Sequence, residues 1–219
     1  MKPYLVLKRI FDLIFALTLL IIISPILIIV AIVIKLESRG PVFFLQDRLG
    51  RNGRTFKIYK LRSMIVNAEK IGTGAYSYKG DPRVTKVGAF IRKTSIDELP
   101  QLFNIIKGEM SVIGPRPTLL YHPWPIEEYT EEQKKRFDMR PGVTGLAQVN
   151  GRKEVPWLER IKLDVEYVNK VSLWVDTKIF FKTIIKVLFM GDNYNTNQTA
   201  SNVTPKDNIS KLSKVKKKA

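Results

Sequence analysis

Asp97 and Glu98 are adjacent carboxylates that follow Arg92 closely in the chain. A structural explanation is a capping box between Ser95 and Glu98, and the local sequence alone favours it. A helix that begins at Asp97 instead places Pro100 in the first turn, where its missing N–H is not needed. In both cases a carboxylate lies at the positive end of a helix dipole, a setting that favours its ionised form and also an incoming phosphate.

Arg116 lies between two prolines in the segment Gly114-Pro115-Arg116-Pro117. A guanidinium group held on such a stiff loop suits bidentate recognition of a phosphate. The alternative is an ordinary surface turn. Further basic candidates are Lys60, Arg62, Arg140 and Arg152. Taken singly, these side chains are typical solvated surface charges.

A divalent metal in this protein would need oxygen ligands. The chain has no cysteine and one histidine, His122, for which a structural role is expected, so a zinc site is excluded in practice. Carboxylates together with substrate phosphate are the usual ligands of Mg²⁺. The residues therefore predict that a divalent metal here would be held by carboxylates.

The composition calls for anionic partners. Among 219 residues, 37 Lys and Arg face 20 Asp and Glu, which gives a formal net charge of +17. Nucleic acid, nucleotide phosphates and an acidic membrane leaflet all fit that charge. The hydrophobic share of 45% excludes a chain that is disordered throughout, and the lack of cysteine fits a reducing compartment.

An apolar run of 25 residues, from Ile10 to Ile34, contains Asp12 as its only charge. About 20 such residues span a bilayer, and no signal-peptide cleavage site follows. Ser24-Pro25 lies near the middle and predicts a sharp bend. Basic residues flank both ends, so the positive-inside rule predicts that both stay cytoplasmic. These features favour a re-entrant helix, although a spanning helix with a proline kink remains open.

The remaining chain predicts one cytosolic domain with a β-hairpin and several helices. Gly50-Arg51-Asn52-Gly53 is a turn signal between two aromatic and β-branched runs. The predicted strands are 41–47 and 55–61, and the predicted loops are 71–86 and 143–151. Helices are predicted at 63–70, 127–139 and 157–169. A further helix is predicted to begin between residues 95 and 100 and to end at Gly108.

The segment from Leu173 to Met190 carries lysines every four residues, at positions 178, 182 and 186, beside an apolar face. This pattern is typical of a helix in the headgroup plane, and equally of a core helix with a solvated lysine face. Beyond Gly191 the composition predicts a disordered lysine-rich tail that is attracted to anionic lipid. The expected organisation is a membrane anchor at 1–36, a cytosolic domain at 37–191 and a tail at 192–219.

Several motifs in one order resemble the bacterial sugar transferases, and more narrowly the small monotopic polyprenyl-phosphate phosphoglycosyl transferases. The resemblance extends from about Lys8 to Met190. Its motifs are Ser24-Pro25, Lys60-Leu61-Arg62-Ser63-Met64, Ser95 to Leu102, Gly114 to Pro117, Arg140 to Gly145 and Leu146 to Arg152. It implies an α+β fold, mostly helical, with a re-entrant membrane helix, one β-hairpin and amphipathic interfacial helices around a cytosolic catalytic domain.

The resemblance also implies a reaction. A UDP-sugar donates sugar-1-phosphate to a polyprenyl phosphate such as undecaprenyl phosphate, UMP leaves, and Mg²⁺ assists at the cytosolic face of the bacterial inner membrane. Asp97 is expected to be the nucleophile, and Glu98 to assist with metal binding or proton handling. Both carboxylates are the metal ligands that the resemblance implies. Family-essential positions fall on Lys60 and Asp176. Candidates for phosphate and nucleotide contacts are Arg92, Arg116 and Arg152.

Two other functions are weighed against this one. A membrane-tethered nucleic-acid-binding protein would fit the charge but leaves the Asp-Glu and Pro-Arg-Pro motifs without a role, so no nucleic-acid partner is expected. A glycosyltransferase that moves only the sugar would release UDP rather than UMP. Neither the sugar nor the oligomeric state follows from the residues.

Overall fold

The computed structural model describes residues 3–72, 74, 77, 78, 80–151 and 155–189. The described part is mostly helical with a small β content, as expected for an α+β fold. Its helices are α1 (Pro3–Glu37), α2 (Lys86–Lys93), α3 (Gln101–Lys107), α4 (Glu131–Lys134), α5 (Leu146–Val149), α6 (Trp157–Lys170) and α7 (Leu173–Phe189). Its strands are β1 (Phe43–Leu49), β2 (Thr55–Leu61), β3 (Ser111–Ile113) and β4 (Gly142–Thr144).

The α1 helix runs through Pro25 as one element, so the expected break does not divide it in two. The hydroxyl of Ser24 donates to the carbonyl oxygen of Ile21 at 2.9 Å, which is the local compensation expected before a proline. By length and composition α1 is suited to cross a membrane, and most of its apolar surface is exposed. A re-entrant course stays a prediction.

Both halves of α1 pack against the globular part of the chain. Ala16 and Ile23 join the core cluster that contains Phe56, Leu102 and Ile105. Nearer the C-terminal end of α1, Ile34 packs with Leu61 and Ile91 in a second cluster. The helix is therefore attached along its length to β2, α2 and α3.

Polar contacts fix the C-terminal end of α1. The guanidinium group of Arg62 is buried and donates to the carbonyl oxygens of Ser38 and Arg39, each at 2.7 Å. Arg62 is thus a structural residue, and its interpretation as a solvated surface charge is wrong. The carboxylate of Glu37 accepts from the backbone N–H of Lys86 at 2.7 Å, at the start of α2. These contacts couple the end of α1 to both β2 and α2.

The β-hairpin is confirmed, with an antiparallel register from Phe43 opposite Leu61 to Leu49 opposite Thr55. The first strand begins and ends two residues later than predicted. Asn52 has a φ of 56° and Gly53 a φ of 71°, the left-handed conformations that an Asn-Gly turn supplies at low energetic cost.

A short parallel pair, β3 and β4, was not predicted. Ser111 lies opposite Gly142 and Ile113 opposite Thr144. A Cβ on Gly142 would lie 2.1 Å from the backbone nitrogen of Gly114, so the close approach of the two chains requires glycine there. The predicted loop at 143–151 is wrong, since β4 and α5 occupy most of it.

Some of the other helix predictions are confirmed and others are wrong. The α6 and α7 helices confirm the predicted helical segments near the C-terminus. Residues 63–70 form only a 3₁₀ turn at Ala68–Lys70, and residues 127–139 form the short α4 between 3₁₀ turns. The predicted loop after Ile71 is confirmed over its described residues. The predicted tail at 192–219 lies outside them.

Candidate functional site

Asp97 and Glu98 lie in a 3₁₀ turn, Ile96–Glu98, between α2 and α3. Ser95 precedes the turn with a φ of 58° and makes no side-chain capping hydrogen bond, so the capping-box alternative is wrong. The two carboxylates also precede α3 by a full turn rather than forming its first turn. Their charge therefore has to be balanced by neighbouring side chains more than by the helix dipole.

Lys60 supplies part of that balance from the end of β2. Its Nζ lies 2.7 Å from Oε1 of Glu98, and both side chains are partly buried. The Asp97 residue is only 9% exposed. Burial raises the pKa of its carboxyl group to about 6, with the charge of Glu98 adding to the rise and those of Lys60 and Arg92 opposing it. The site thus holds a desolvated carboxylate between two cations.

Arg92 lies in the last turn of α2, where its Nη1 donates to the hydroxyl of Ser77 at 3.0 Å. Its charge acts on Asp97 from the side of α2, whereas that of Lys60 acts from the hairpin. Three predicted site residues, Lys60, Arg92 and Asp97, are therefore brought together with Glu98.

The backbone of the loop that carries Arg116 is bonded by a residue of a buried ion pair. Arg136 and Asp164 pair with side chains that are each 1% exposed, and Nη2 of Arg136 donates to the carbonyl oxygen of Arg116 at 2.9 Å. On the neighbouring residue, the carbonyl oxygen of Pro115 accepts from Gly142 at 2.9 Å. The fold therefore fixes the backbone of this loop while the side chain of Arg116 stays half-buried.

Arg48, at the end of β1, is a site residue that sequence reasoning missed. Its Nη1 donates to the carbonyl oxygen of Pro117 at 3.3 Å. Burial lowers the pKa of its guanidinium group to about 10; the charge of Arg116 lowers it further and that of Glu98 raises it. Arg48 therefore contacts the Pro-Arg-Pro loop, and its charge also interacts with that of Glu98. The signal was strand periodicity, which places Arg48 on one face with Gln46, but the predicted strand ended at Asp47, just before Arg48.

Asp176 is placed in a different environment. Its carboxylate accepts from Lys8 at 2.7 Å, from the hydroxyl of Tyr4 at 2.6 Å and from that of Tyr167 at 2.7 Å. These contacts join α1, α6 and α7, and none of them involves the groups around Asp97. Arg152 lies outside the described residues, and Ser24 and Pro25 lie in the middle of α1.

The carboxylate pair fits a hard divalent cation. No group of three or more His, Cys, Asp or Glu side chains gathers among the described residues, so a metal here would have Asp97 and Glu98 as protein ligands. Mg²⁺ usually takes one or two carboxylates and completes its shell with water and substrate phosphate. Burial is the main cause of the raised pKa of Asp97, and a cation would offset the smaller contribution from repulsion by Glu98.

Known proteins share most of this chain. It is 44% identical over 186 residues to the UDP-glucose:undecaprenyl-phosphate glucose-1-phosphate transferase of Escherichia coli, covering 82% of this chain and 40% of that protein. It is 44% identical over 193 residues to the undecaprenyl-phosphate glucose phosphotransferase of Komagataeibacter xylinus, covering 83% and 36%. These alignments therefore span less than half the length of those two relatives.

A relative of similar size is an uncharacterized sugar transferase of Bacillus subtilis. It is 41% identical over 207 residues, which cover 94% of this chain and all of that protein. A sequence model of the bacterial sugar transferases matches residues 3–190. This chain therefore belongs to the bacterial sugar transferase family.

Proposed function

We propose that this protein transfers sugar-1-phosphate from a UDP-sugar to undecaprenyl phosphate, with release of UMP and formation of a polyprenyl diphosphosugar. The observation that carries the proposal is the buried Asp97 beside Lys60 and Arg92, in a chain whose relatives are named as glucose phosphotransferases of undecaprenyl phosphate. Two polyanionic substrates need such cations around a carboxylate before it can approach phosphorus.

In the proposed first step, a carboxylate oxygen of Asp97 attacks the sugar-proximal phosphorus. The bond between this phosphorus and the bridging oxygen breaks, and UMP leaves with the electron pair. In the second step, an oxygen of the lipid phosphate attacks the same phosphorus. The acyl-phosphate bond then breaks and the Asp97 carboxylate is restored. Two half-reactions through one covalent intermediate produce ping-pong kinetics.

The surrounding side chains have separate roles in this scheme. Lys60, held by Glu98 at 2.7 Å, keeps a positive charge beside the nucleophile. Arg92, in the last turn of α2, offsets further negative charge at Asp97. Mg²⁺ bound by Asp97 and Glu98 would supply further neutralisation of phosphate charge. The donor's remaining phosphate is assigned to arginines near the Pro-Arg-Pro loop, and Arg152 is kept as a candidate nucleotide contact.

The proposed location is the cytosolic face of the bacterial inner membrane, with α1 as a re-entrant anchor. Contacts near both ends of α1 support this placement. Lys8 pairs with Asp176, while Glu37, 29 residues further along, binds the start of α2. A straight helix over that interval would be about 43 Å long, which exceeds the roughly 30 Å hydrocarbon core. Ends on opposite membrane faces could not easily contact one cytosolic domain.

Anionic lipid is proposed as a further partner of α7. Trp174 and Phe181 are well exposed on this helix, and Nζ of Lys178 lies 4.9 Å from the centre of the Trp174 ring. Exposed aromatic rings beside lysines suit the boundary between headgroups and acyl chains. This face would hold the catalytic domain against the membrane where the lipid phosphate lies, which is a proximity effect.

The test is the nucleotide product. Purified protein in detergent is incubated with undecaprenyl phosphate, Mg²⁺ and a panel of UDP-sugars that includes UDP-glucose and UDP-galactose. UMP release with a lipid diphosphosugar product supports the proposal and identifies the sugar. UDP release would indicate a glycosyltransferase that moves only the sugar. Absence of nucleotide release, together with salt-sensitive oligonucleotide binding, would favour a nucleic-acid-binding protein instead.

A further inference from the structure

The side chain of Asn104 forms a two-point contact between α3 and the backbone of β2. Its Oδ1 accepts from the backbone N–H of Tyr59 at 3.0 Å, and its Nδ2 donates to the carbonyl oxygen of Lys57 at 2.7 Å. The same Nδ2 donates to Oε2 of Glu109, also at 2.7 Å. Asn104 is 0% exposed. Its amide has one orientation here, because a backbone N–H can only donate and a carbonyl can only accept.

This contact lies on the edge of β2 that has no neighbouring strand among the described residues, since β2 pairs with β1 along its other edge. Apolar packing also joins α3 to β2, in a core cluster that contains Phe56, Ile58, Leu102 and Ile105. Such packing is not directional, so it leaves the position of the helix along the strand poorly defined. The amide defines that position, because equivalent groups on a strand edge recur only every two residues, or roughly 7 Å.

The position of α3 along β2 affects the candidate site at both elements. On the helix side, the turn Ile96–Glu98 is followed directly by Leu99, whose carbonyl oxygen accepts from the backbone N–H of Leu102 at 3.1 Å. The turn and α3 are therefore bonded into one continuous unit. On the strand side, Lys60 follows Tyr59 directly in β2. A shift of α3 along the strand would therefore change the distance between Lys60 and the carboxylates of the turn.

We propose that Asn104 is a positioning residue, whose amide fixes α3 along β2 and thereby keeps Lys60 beside the turn that carries Asp97 and Glu98. The ion pair of Lys60 with Glu98 is not sufficient for this, because its side chains are 19% and 28% exposed and such pairs stabilise weakly. Loss of the buried amide is costly, since it leaves a backbone N–H and a carbonyl without partners. The contact belongs to the fold, whereas its catalytic consequence rests on the proposed function.

The first test measures the geometry without turnover. The chain has no cysteine, so the double variant Lys60→Cys/Glu98→Cys carries two thiols that a short bifunctional thiol reagent can join. In detergent, the rate of this cross-linking is expected to fall severalfold when Asn104→Leu is added. Ile105→Ala is the matched control, because it removes a neighbouring buried side chain and leaves the amide in place, so its rate should not change. An unchanged rate in the Asn104→Leu protein, or an equal fall in the control, would overturn the proposal.

The second test measures the chemistry at Asp97, as adduct formation from UDP-sugar alone across a pH range. The charge of Lys60 lowers the pKa of Asp97, so a displaced lysine should raise that pKa and shift the acidic limb of the rate to higher pH. Asn104→Leu should show this shift and a lower rate at saturating UDP-sugar, with little change in the half-saturating concentration. Lys60→Met should show the same shift, and the double variant no further shift, because Asn104 acts through Lys60. Additive shifts, or an unshifted limb in Asn104→Leu, would contradict the proposal.

Asn104→Asp keeps the size of the side chain and carries both tests if the leucine variant does not fold. A carboxylate here still accepts from Tyr59, but it cannot donate to the carbonyl oxygen of Lys57 and it repels Glu109. Glu109→Gln in this background restores one donated hydrogen bond and should return both measurements toward wild type, whereas no recovery would count against the proposal. A failure of the proposed reaction is recognised separately, since wild-type protein would then form no adduct while the cross-linking rate still depends on Asn104.

Discussion

The Nζ of Lys60 lies 2.7 Å from Oε1 of Glu98, although the two residues are 38 positions apart in the chain. This contact joins the end of β2 to the 3₁₀ turn that carries Asp97. The hairpin therefore helps to position the turn that carries Asp97, the proposed nucleophile. Asp97 gains a nearby cation in this way, while the carboxylate of Glu98 is already engaged by that cation.

Asp97→Asn and Glu98→Gln should have different consequences. An amide is a poor nucleophile toward phosphorus, so Asp97→Asn is expected to abolish both turnover and any covalent adduct. Glu98→Gln removes the partner of Lys60 and should slow turnover strongly, yet still trap the phosphosugar on Asp97 when no lipid is present. Mass spectrometry and peptide mapping of protein incubated with UDP-sugar alone distinguish the two. An adduct on Glu98, or one that persists in Asp97→Asn, would overturn the assignment.

Asp97→Asn should also stabilise the fold. The folded-state pKa of Asp97 is about 6, above its ordinary value of 3.8, so ionising this group opposes folding. The penalty is complete above about pH 6, shrinks as the pH falls and vanishes below about pH 4. Removing the carboxylate should therefore raise the free energy of unfolding by about 1–3 kcal/mol at pH 8 and by almost nothing at pH 4. Thermal unfolding of both proteins across this range is the measurement, and a stabilisation that grows toward low pH would contradict it.

The sequence pattern was sufficient for some elements and not for others, for physical reasons. Asn52-Gly53 identified the hairpin because few residues adopt left-handed conformations at low cost. The strands β3 and β4 have three residues each, which is too short for any periodicity to be recognised. Serine is a common N-cap residue, but Ser95 has a positive φ and its side chain makes no capping hydrogen bond.

In the candidate site too, some features could be predicted from the sequence and others could not. The motif around Asp97 and Glu98 was recognisable in the sequence, whereas the partner of each charge depended on the fold. Lys60 lies in β2 and Arg62 is the first residue after it, yet Arg62 bonds the C-terminal end of α1 whereas Lys60 pairs with Glu98. Local sequence does not distinguish them, because burial and partners are set by residues distant in the chain.

Removal of divalent cations should abolish activity. Asp97 and Glu98 are adjacent carboxylates that repel each other, and a bound cation would offset this repulsion as well as the phosphate charges. Excess EDTA is expected to stop UMP release, and added Mg²⁺ to restore it. Glu98→Gln should require a higher Mg²⁺ concentration for half-maximal activity. Full activity in EDTA would exclude this role for the pair.

Asp176→Asn is expected to destabilise the protein rather than to weaken substrate binding selectively. The substitution leaves Lys8 buried without its ionic partner, and breaking such a pair typically costs about 3–5 kcal/mol. Glu166→Gln is the control, since it removes an exposed ion pair with Lys170 and should change the free energy of unfolding by less than about 1 kcal/mol. Unfolding in detergent measures both. An Asp176→Asn protein of wild-type stability that is inactive would instead indicate a direct role with substrate.

The re-entrant placement of α1 predicts that its two ends lie on the same side of the membrane. The chain has no cysteine, so single cysteines introduced as Lys2→Cys and Arg39→Cys are labelled without background. In intact spheroplasts both positions should resist a membrane-impermeant maleimide, and both should react after lysis. The physical reason is that Lys8 and Glu37 bind the same domain, at Asp176 and at the start of α2. Labelling of the Lys2→Cys protein alone in intact spheroplasts would establish a spanning helix. The contacts of Lys8 with α7 could not then form in the membrane, because a charged lysine at the outer face would be separated from Asp176 by the hydrocarbon core.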